Sequence, residues 1–144
     1  MGFASSCNST SCSNQIKSPH RGICPEGWHI PSSEDWGKLS RYVDGTSGTN
    51  AGYESTTAGK YLKAKSGWNS NGNGTDDYGF SALPGGYGLS FGSFGNVGYY
   101  GSWWSTSEYG SDNAYGRSMG YDGDGAIWDD YFKSTLYSVR CLQD

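Results

Sequence analysis

The side chains best suited to chemistry gather late in the chain. Between Tyr109 and Leu136 stand Tyr109, Tyr115, Tyr121, Trp128, Tyr131 and Phe132, interleaved with Asp112, Asp122, Asp124, Asp129 and Asp130 and with Gly, Ser and Asn. Aromatic rings give large contact area at low entropic cost, while Gly, Ser and Asn adapt their hydrogen bonding, and recognition surfaces use this mixture. The carboxylates add a negative field that steers cationic or polar partners. The candidate ligand-binding set is therefore Tyr109, Asp112, Asn113, Tyr115, Tyr121, Asp122, Asp124, Trp128, Asp129, Asp130, Tyr131 and Phe132. Trp128 and Tyr131 suit burial as well as a ligand-facing position.

Bond-breaking chemistry fits these residues less well. Asp76-Asp77 and Asp129-Asp130 are adjacent in sequence. On a strand such neighbours point to opposite faces and cannot flank one glycosidic bond. No Gly-x-Ser-x-Gly elbow stands in a triad context. His29, just ahead of a helix start, reads as structural, so no catalytic residue is assigned and the chain is read as a non-enzyme. The cysteines lack Cys-x-x-Cys spacing and His20 and His29 lack ligand spacing, which argues against zinc. Asn69-Ser70-Asn71-Gly72-Asn73-Gly74 has the rhythm of a calcium loop, but Asn replaces the first Asp and Phe80 stands at the twelfth position. No cofactor is expected; a structural calcium is the one ion left open.

The elements that must position these residues are short. The chain has 144 residues, 24 of them Gly, with six Trp, twelve Tyr and five Phe. Ile, Leu, Val and Phe supply only 18 residues, so Trp and Tyr must build the core, each burying on the order of 150–250 Å². This composition excludes a coiled coil, a Leu-rich bundle and a doubly wound α/β enzyme. The net charge of −4 arises entirely after Tyr100, and no basic face exists for nucleic acid or an anionic membrane. No apolar run spans a bilayer.

Four cysteines allow three pairings. Cys7 and Cys12 lie close together in a polar loop, while Cys24 with Cys141 would tie the domain's start to its end, and this arrangement is favoured. Disulfides point to an extracellular or cell-surface location. Met1-Gly2-Phe3-Ala4-Ser5-Ser6 formally fits a myristoylation signal, but a cytosolic acyl anchor conflicts with paired cysteines and is set aside. The sequons Asn8-Ser9-Thr10 and Asn73-Gly74-Thr75 mark exposed loops.

Residues 1–22, rich in Ser and Asn, read as an irregular lead-in, and 23–144 as one domain. Pro31-Ser32-Ser33-Glu34-Asp35-Trp36 is a helix start, with Ser32 and Asp35 placed to form a capping box. Trp36, Leu39 and Val43 share a helical face, and Gly45 is the expected stop. A second helix is expected over Ala58–Ala64, with Tyr61 and Leu62 inward and Lys60, Lys63 and Lys65 in solvent. Strands are expected at Gly79–Leu83, Tyr87–Phe94, Trp103–Ser107, Ala114–Tyr121, Ala126–Phe132 and Tyr137–Leu142, with a type II turn at Pro84-Gly85. Trp28, Trp36, Tyr61, Phe80, Trp103 and Trp104 are expected inside, and Arg117 and Arg140 are expected to hold structure.

An ordered series of motifs resembles a known family. Ile23-Cys24-Pro25-Glu26-Gly27-Trp28-His29-Ile30-Pro31, Ala58-Gly59-Lys60-Tyr61-Leu62-Lys63-Ala64, Gly79-Phe80-Ser81-Ala82-Leu83-Pro84-Gly85-Gly86-Tyr87, Trp103-Trp104-Ser105-Thr106-Ser107-Glu108 and Ser138-Val139-Arg140-Cys141 follow one another. Over residues 22–144 the chain resembles the Fibrobacter succinogenes major paralogous domain, a family of bacterial surface and secreted domains. The Pro31–Trp36 segment is similar to formylglycine-generating-enzyme-like domains.

Both resemblances imply an α+β, C-type-lectin-like fold: two helices on small twisted antiparallel sheets with long irregular loops. The copper-holding cysteine pair of the sulfatase-modifying enzymes is missing, and so are the Glu-Pro-Asn and Trp-Asn-Asp strings of calcium-dependent lectins. The resemblance also suggests a target of diversity-generating retroelements. Family sequences often carry an Asn run where this chain has Asp129-Asp130-Tyr131-Phe132.

The expected function is recognition of a protein or glycan on another cell or surface by a secreted or displayed domain, adhesin-like and part of a larger surface protein or assembly. Alternatives are a structural domain of a fibre or pilus tip and a polysaccharide-acting enzyme. Neither nucleic acid nor direct membrane insertion is expected.

Overall fold

The computed structural model describes residues 7–144, so the myristoylation-like opening lies outside the described residues. The architecture is mixed α+β, with two helices and, among the described residues, three small antiparallel sheets.

Helix α1 spans Ser33–Asp44, and its ends are chemically specified. The Ser32 side chain accepts from the Asp35 N–H, and the Asp35 carboxylate accepts from the Ser32 N–H, which completes the capping box. Gly45 closes the helix in the left-handed region, its N–H directed at the carbonyls of Arg41 and Tyr42. Trp36 and Val43 are buried beneath it and Leu39 is partly buried.

Helix α2 is Ala58–Leu62, two residues shorter than expected. Lys63 turns extended, and the chain pairs with Ala82 through Ala82 N–H to Leu62 C=O and Ala64 N–H to Ala82 C=O. Lys63 is therefore buried rather than solvated. Gly59 lets α2 lie directly on the 124–125 turn; a Cβ there would fall 2.1 Å from the Gly125 carbonyl oxygen.

The main sheet runs β4 (Tyr100–Glu108), β5 (Asn113–Gly120) and β6 (Ile127–Phe132) in that spatial order, with a register shift in β4 between Trp104 and Glu108. The outer edge of β4 is covered. Trp104 N–H donates to Ser138 C=O, Ser138 N–H to Ser102 C=O, and Thr106 N–H to Pro31 C=O. Strands β1 (Trp28–His29) and β7 (Leu142–Gln143) pair the domain's start with its end.

The β2–β3 pairing and the turn before it correct two expectations. Tyr87–Phe94 is a hairpin, with β2 (Tyr87–Gly88) against β3 (Phe94–Gly95), not one strand. At Pro84-Gly85 the positive φ falls on Gly86, whose Cβ position lies 2.2 Å from the Gly95 carbonyl oxygen, so a type II turn is not formed there. Gly79–Leu83 and Tyr137–Leu142 contribute isolated bridges at Ala82 and Ser138 in place of full strands, with β7 beginning at Leu142.

The core joins Trp36, Val43, Ala58, Leu62, Trp68, Ala82, Trp103, Met119 and Ala126. Trp36, Phe80 and Trp103 meet one another with ring centroids 6.0–6.4 Å apart. Trp28 departs from expectation: it is 38% exposed, because a two-residue edge strand gives it nothing to hide beneath. Arg117 and Arg140 act structurally. Arg117 is fully buried and donates to the Tyr53 and Ala126 carbonyls, with burial holding its pKa down to about 10. Arg140 donates to the Phe80 carbonyl and lies over the Phe80 ring.

Both favoured disulfides are present, Cys7–Cys12 and Cys24–Cys141. The lead-in is clasped to the sheet. The buried Lys133 ammonium meets the Glu108 carboxylate and the carbonyls of Thr10 and Ser111, while Glu108 also accepts from the Ser11 hydroxyl and the Cys12 N–H.

Candidate functional site

The twelve sequence-selected residues fall into separate places. Tyr109, Tyr115 and Trp128 form an aromatic ladder, with Tyr115 stacked on Trp128 at 4.5 Å and Tyr109 edge-on to Tyr115 at 5.3 Å. Trp128 also fills the space above Gly52, where a Cβ would lie 2.9 Å from its ring.

Tyr121, Asp122 and Asp124 belong to the turn after β5. Tyr121 packs on the core, and the Lys63 ammonium donates to the Gly120 and Gly123 carbonyls beneath the two aspartates. Burial pushes the Lys63 pKa down, and Asp124 and Asp122 oppose that shift. The calcium-like loop faces this turn: Gly72 abuts the Tyr121 carbonyl, and Asn73 Oδ1 accepts from the Trp68 N–H. Asp112 sits in the β4–β5 turn, and exposed Asp129 accepts from the N–H of Asp130.

Asn113, Asp130, Tyr131 and Phe132 all line an open cleft of about 520 Å³, but only Tyr131 turns its ring onto the Ser102 and Ser118 face; alternation turns Asn113, Asp130 and Phe132 toward the Tyr115 face, so they border the cleft from the end of β6. Strand alternation creates the cleft. Along β4 and β5, Trp103 and Met119 enter the core, so Ser102 and Ser118 face the other way. On that second face the Tyr131 ring lies over Gly116, where a Cβ would sit 3.3 Å from it. Tyr137 is delivered by the segment bridged to β4 through Ser138. It packs on Trp104 at 4.8 Å, Tyr131 at 5.0 Å and Tyr87 at 6.2 Å. Tyr100 and Leu89 complete the walls, and Phe132, 65% exposed, stands at the rim.

Hydroxyls run along the floor. Tyr131 donates to Ser118 at 3.4 Å, Ser118 donates to Ser102 at 3.0 Å, and Ser102 is hydrogen-bonded to Tyr137. Burial pushes the Tyr131 and Tyr137 phenols up, so both stay neutral through the physiological range. None of the lining residues is Lys, Arg or His, and the one carboxylate, Asp130, accepts from the Asn113 amide.

Tyr87, Tyr100, Ser102, Ser118 and Tyr137 belong to the cleft but not to the sequence-selected set. They lie on segments that pair only in three dimensions, and the signal that could have found them was the recurrence of Tyr on both sides of the expected sheet. Gly88-Leu89-Ser90-Phe91-Gly92 has the letters of a nucleophile elbow but spans the tip of the β2–β3 hairpin, with no helix following.

A smaller hollow of about 230 Å³ lies between Trp28, Leu39, Phe80, Arg140 and Leu142. No helix among the described residues is long and apolar enough to cross a membrane. The two disulfides fit an oxidising, extracellular compartment.

Comparison with known proteins places this geometry in a lineage. No curated protein and no solved structure matches the chain. The family model that does match is the Fibrobacter succinogenes major domain, aligned over residues 8–143, and the chain belongs to that family.

Proposed function

We propose that this chain is a secreted or surface-displayed recognition domain, with a C-type-lectin-like arrangement, that binds a protein or glycan at the tyrosine cleft and its Phe132 rim. The observation that carries this reading is the cleft itself. It is concave, aromatic-walled and held in shape by ring contacts and a hydroxyl chain before any ligand arrives. Preformed pockets with a few fixed polar groups are the usual form of ligand sites. The site also draws on the C-terminal Tyr/Asp/Gly region, and diversification of Asp129–Phe132 would alter its rim.

The test is binding of fluorescently labelled domain to a panel of bacterial and host cell surfaces by flow cytometry. Replacing Tyr100 and Phe132 together with Ala should cut binding at least tenfold while thermal stability changes little. Replacing Tyr109 and Asp112, outside the cleft, should leave binding intact. Equal loss from both pairs would sink the assignment of the site.

A second reading, a subunit of a surface fibre, draws on exposed Phe91, Phe94 and Val97 beside the hairpin. Sedimentation that shows a monomer across a hundredfold concentration range would remove it.

A further inference from the structure

We infer that the cleft takes a neutral oligosaccharide, held by tyrosine faces and hydroxyls without a metal ion. This rests on the recognition reading above and names its ligand class. Charge complementarity carries the argument. An anionic ligand needs a cation in the site, and none of the lining residues supplies one. A cationic ligand needs a carboxylate aimed into the site, and the one that lines it, Asp130, is turned toward Asn113 and Tyr115, away from the tyrosine walls. What the cleft offers is neutral and amphipathic: flat phenol rings for walls and hydroxyls that both donate and accept. A pyranose has the matching surface, with apolar C–H faces and a ring of hydroxyls at its edge.

The rings are also fixed in advance. Tyr137 is held between Tyr87, Tyr131 and Trp104, so ordering them on binding costs little. A peptide adding as a strand is disfavoured, because the free edge of β6 carries Asp129 and Asp130, the sort of charge that guards sheet edges.

The experiment is isothermal titration of the intact domain with cellohexaose, mannohexaose and chitohexaose, and with polygalacturonate as an anionic comparison, each with and without EDTA. At least one neutral hexasaccharide should bind, unaffected by EDTA. Tyr100→Ala should weaken it at least tenfold, and Tyr137→Phe, which removes one hydroxyl and keeps the ring, should weaken it several-fold. Polygalacturonate should not bind. Failure of every neutral sugar, preference for the anionic polymer, or binding indifferent to Tyr100→Ala overturns the inference.

Cell binding separates this failure from failure of the recognition reading. Cell binding that is lost in the Tyr100/Phe132 double variant, abolished by protease treatment of the cells and untouched by periodate keeps recognition and rejects the sugar. Cell binding that ignores the double variant rejects both.

Discussion

Lys63 shows how one side chain can hold a loop that sequence alone leaves free. Its ammonium reaches the Gly120 and Gly123 carbonyls and lies 5.1 Å from the Trp68 ring, with Asp122 and Asp124 near enough to favour its charge. Hydrogen bonds to a charged group are among the stronger ones, so Lys63→Met should cost about 2–3 kcal/mol. It should also speed amide exchange at Gly123 and Asp124. Thermal unfolding and hydrogen exchange check the two parts separately. In the sequence Lys63 looks like its neighbours Lys60 and Lys65, a solvated trio. The distinction appears only where α2 stops at Leu62, because the helical period that would have turned Lys63 outward ends one residue too soon.

At the scale of elements, the clasp of the lead-in onto the ends of β4 and β6 is acid-sensitive. Burial raises the Glu108 carboxyl, but hydrogen bonds from Lys133, Ser11 and the Cys12 N–H outweigh it, leaving the pKa below its ordinary value of 4.5. Burial raises the Asp44 carboxyl too, but hydrogen bonds from Ser55, Thr57 and Tyr53 together outweigh it, so it is likewise held below 3.8. In both cases the unfolded chain binds protons first as pH falls. The stabilisation is therefore complete above about pH 5 and is lost as pH drops through the folded values. Melting temperature should be flat from pH 5 to 7 and fall below 4.5. Glu108→Gln should lose about 3–5 kcal/mol at neutral pH by leaving the buried Lys133 charge without its counter-ion, with a shallower acid slope than the parent; thermal melts from pH 3 to 7 decide this. Helix α1 and strands β4 to β6 were legible, because a capping box is a strong local signal and the three strands are aromatic-bearing runs of six to nine residues set between Gly-rich and Asp-rich turns. The two-residue pairings were not. The hairpin of β2 and β3 passes for one strand because Gly and aromatics alternate across its turn, and no period can be read from two residues.

For the molecule as a whole, the long disulfide matters most. Cys24–Cys141 closes a loop with a sequence separation of 117, while Cys7–Cys12 spans only 5. In the chain-entropy model the first stabilises by about 5 kcal/mol and the second by about 2 kcal/mol. Replacing Cys24 and Cys141 with Ala should lower the melting temperature far more than replacing Cys7 and Cys12, as calorimetry of the two double variants would show. The candidate site was half legible at this scale. Composition pointed to the C-terminal strands, but the cleft also needs Tyr87 from β2, Tyr100 from β4 and Tyr137 from the segment that Ser138 bridges to β4. The same bridge between Cys24 and Cys141 has a mechanical meaning. A pull applied to the chain before Cys24 and after Cys141 runs through a single covalent link, and everything between stays out of the load path. Under tension the part of the domain between the two cysteines keeps its length and the cleft keeps its shape. Reduction would make that segment extensible, releasing roughly 400 Å of slack at full stretch.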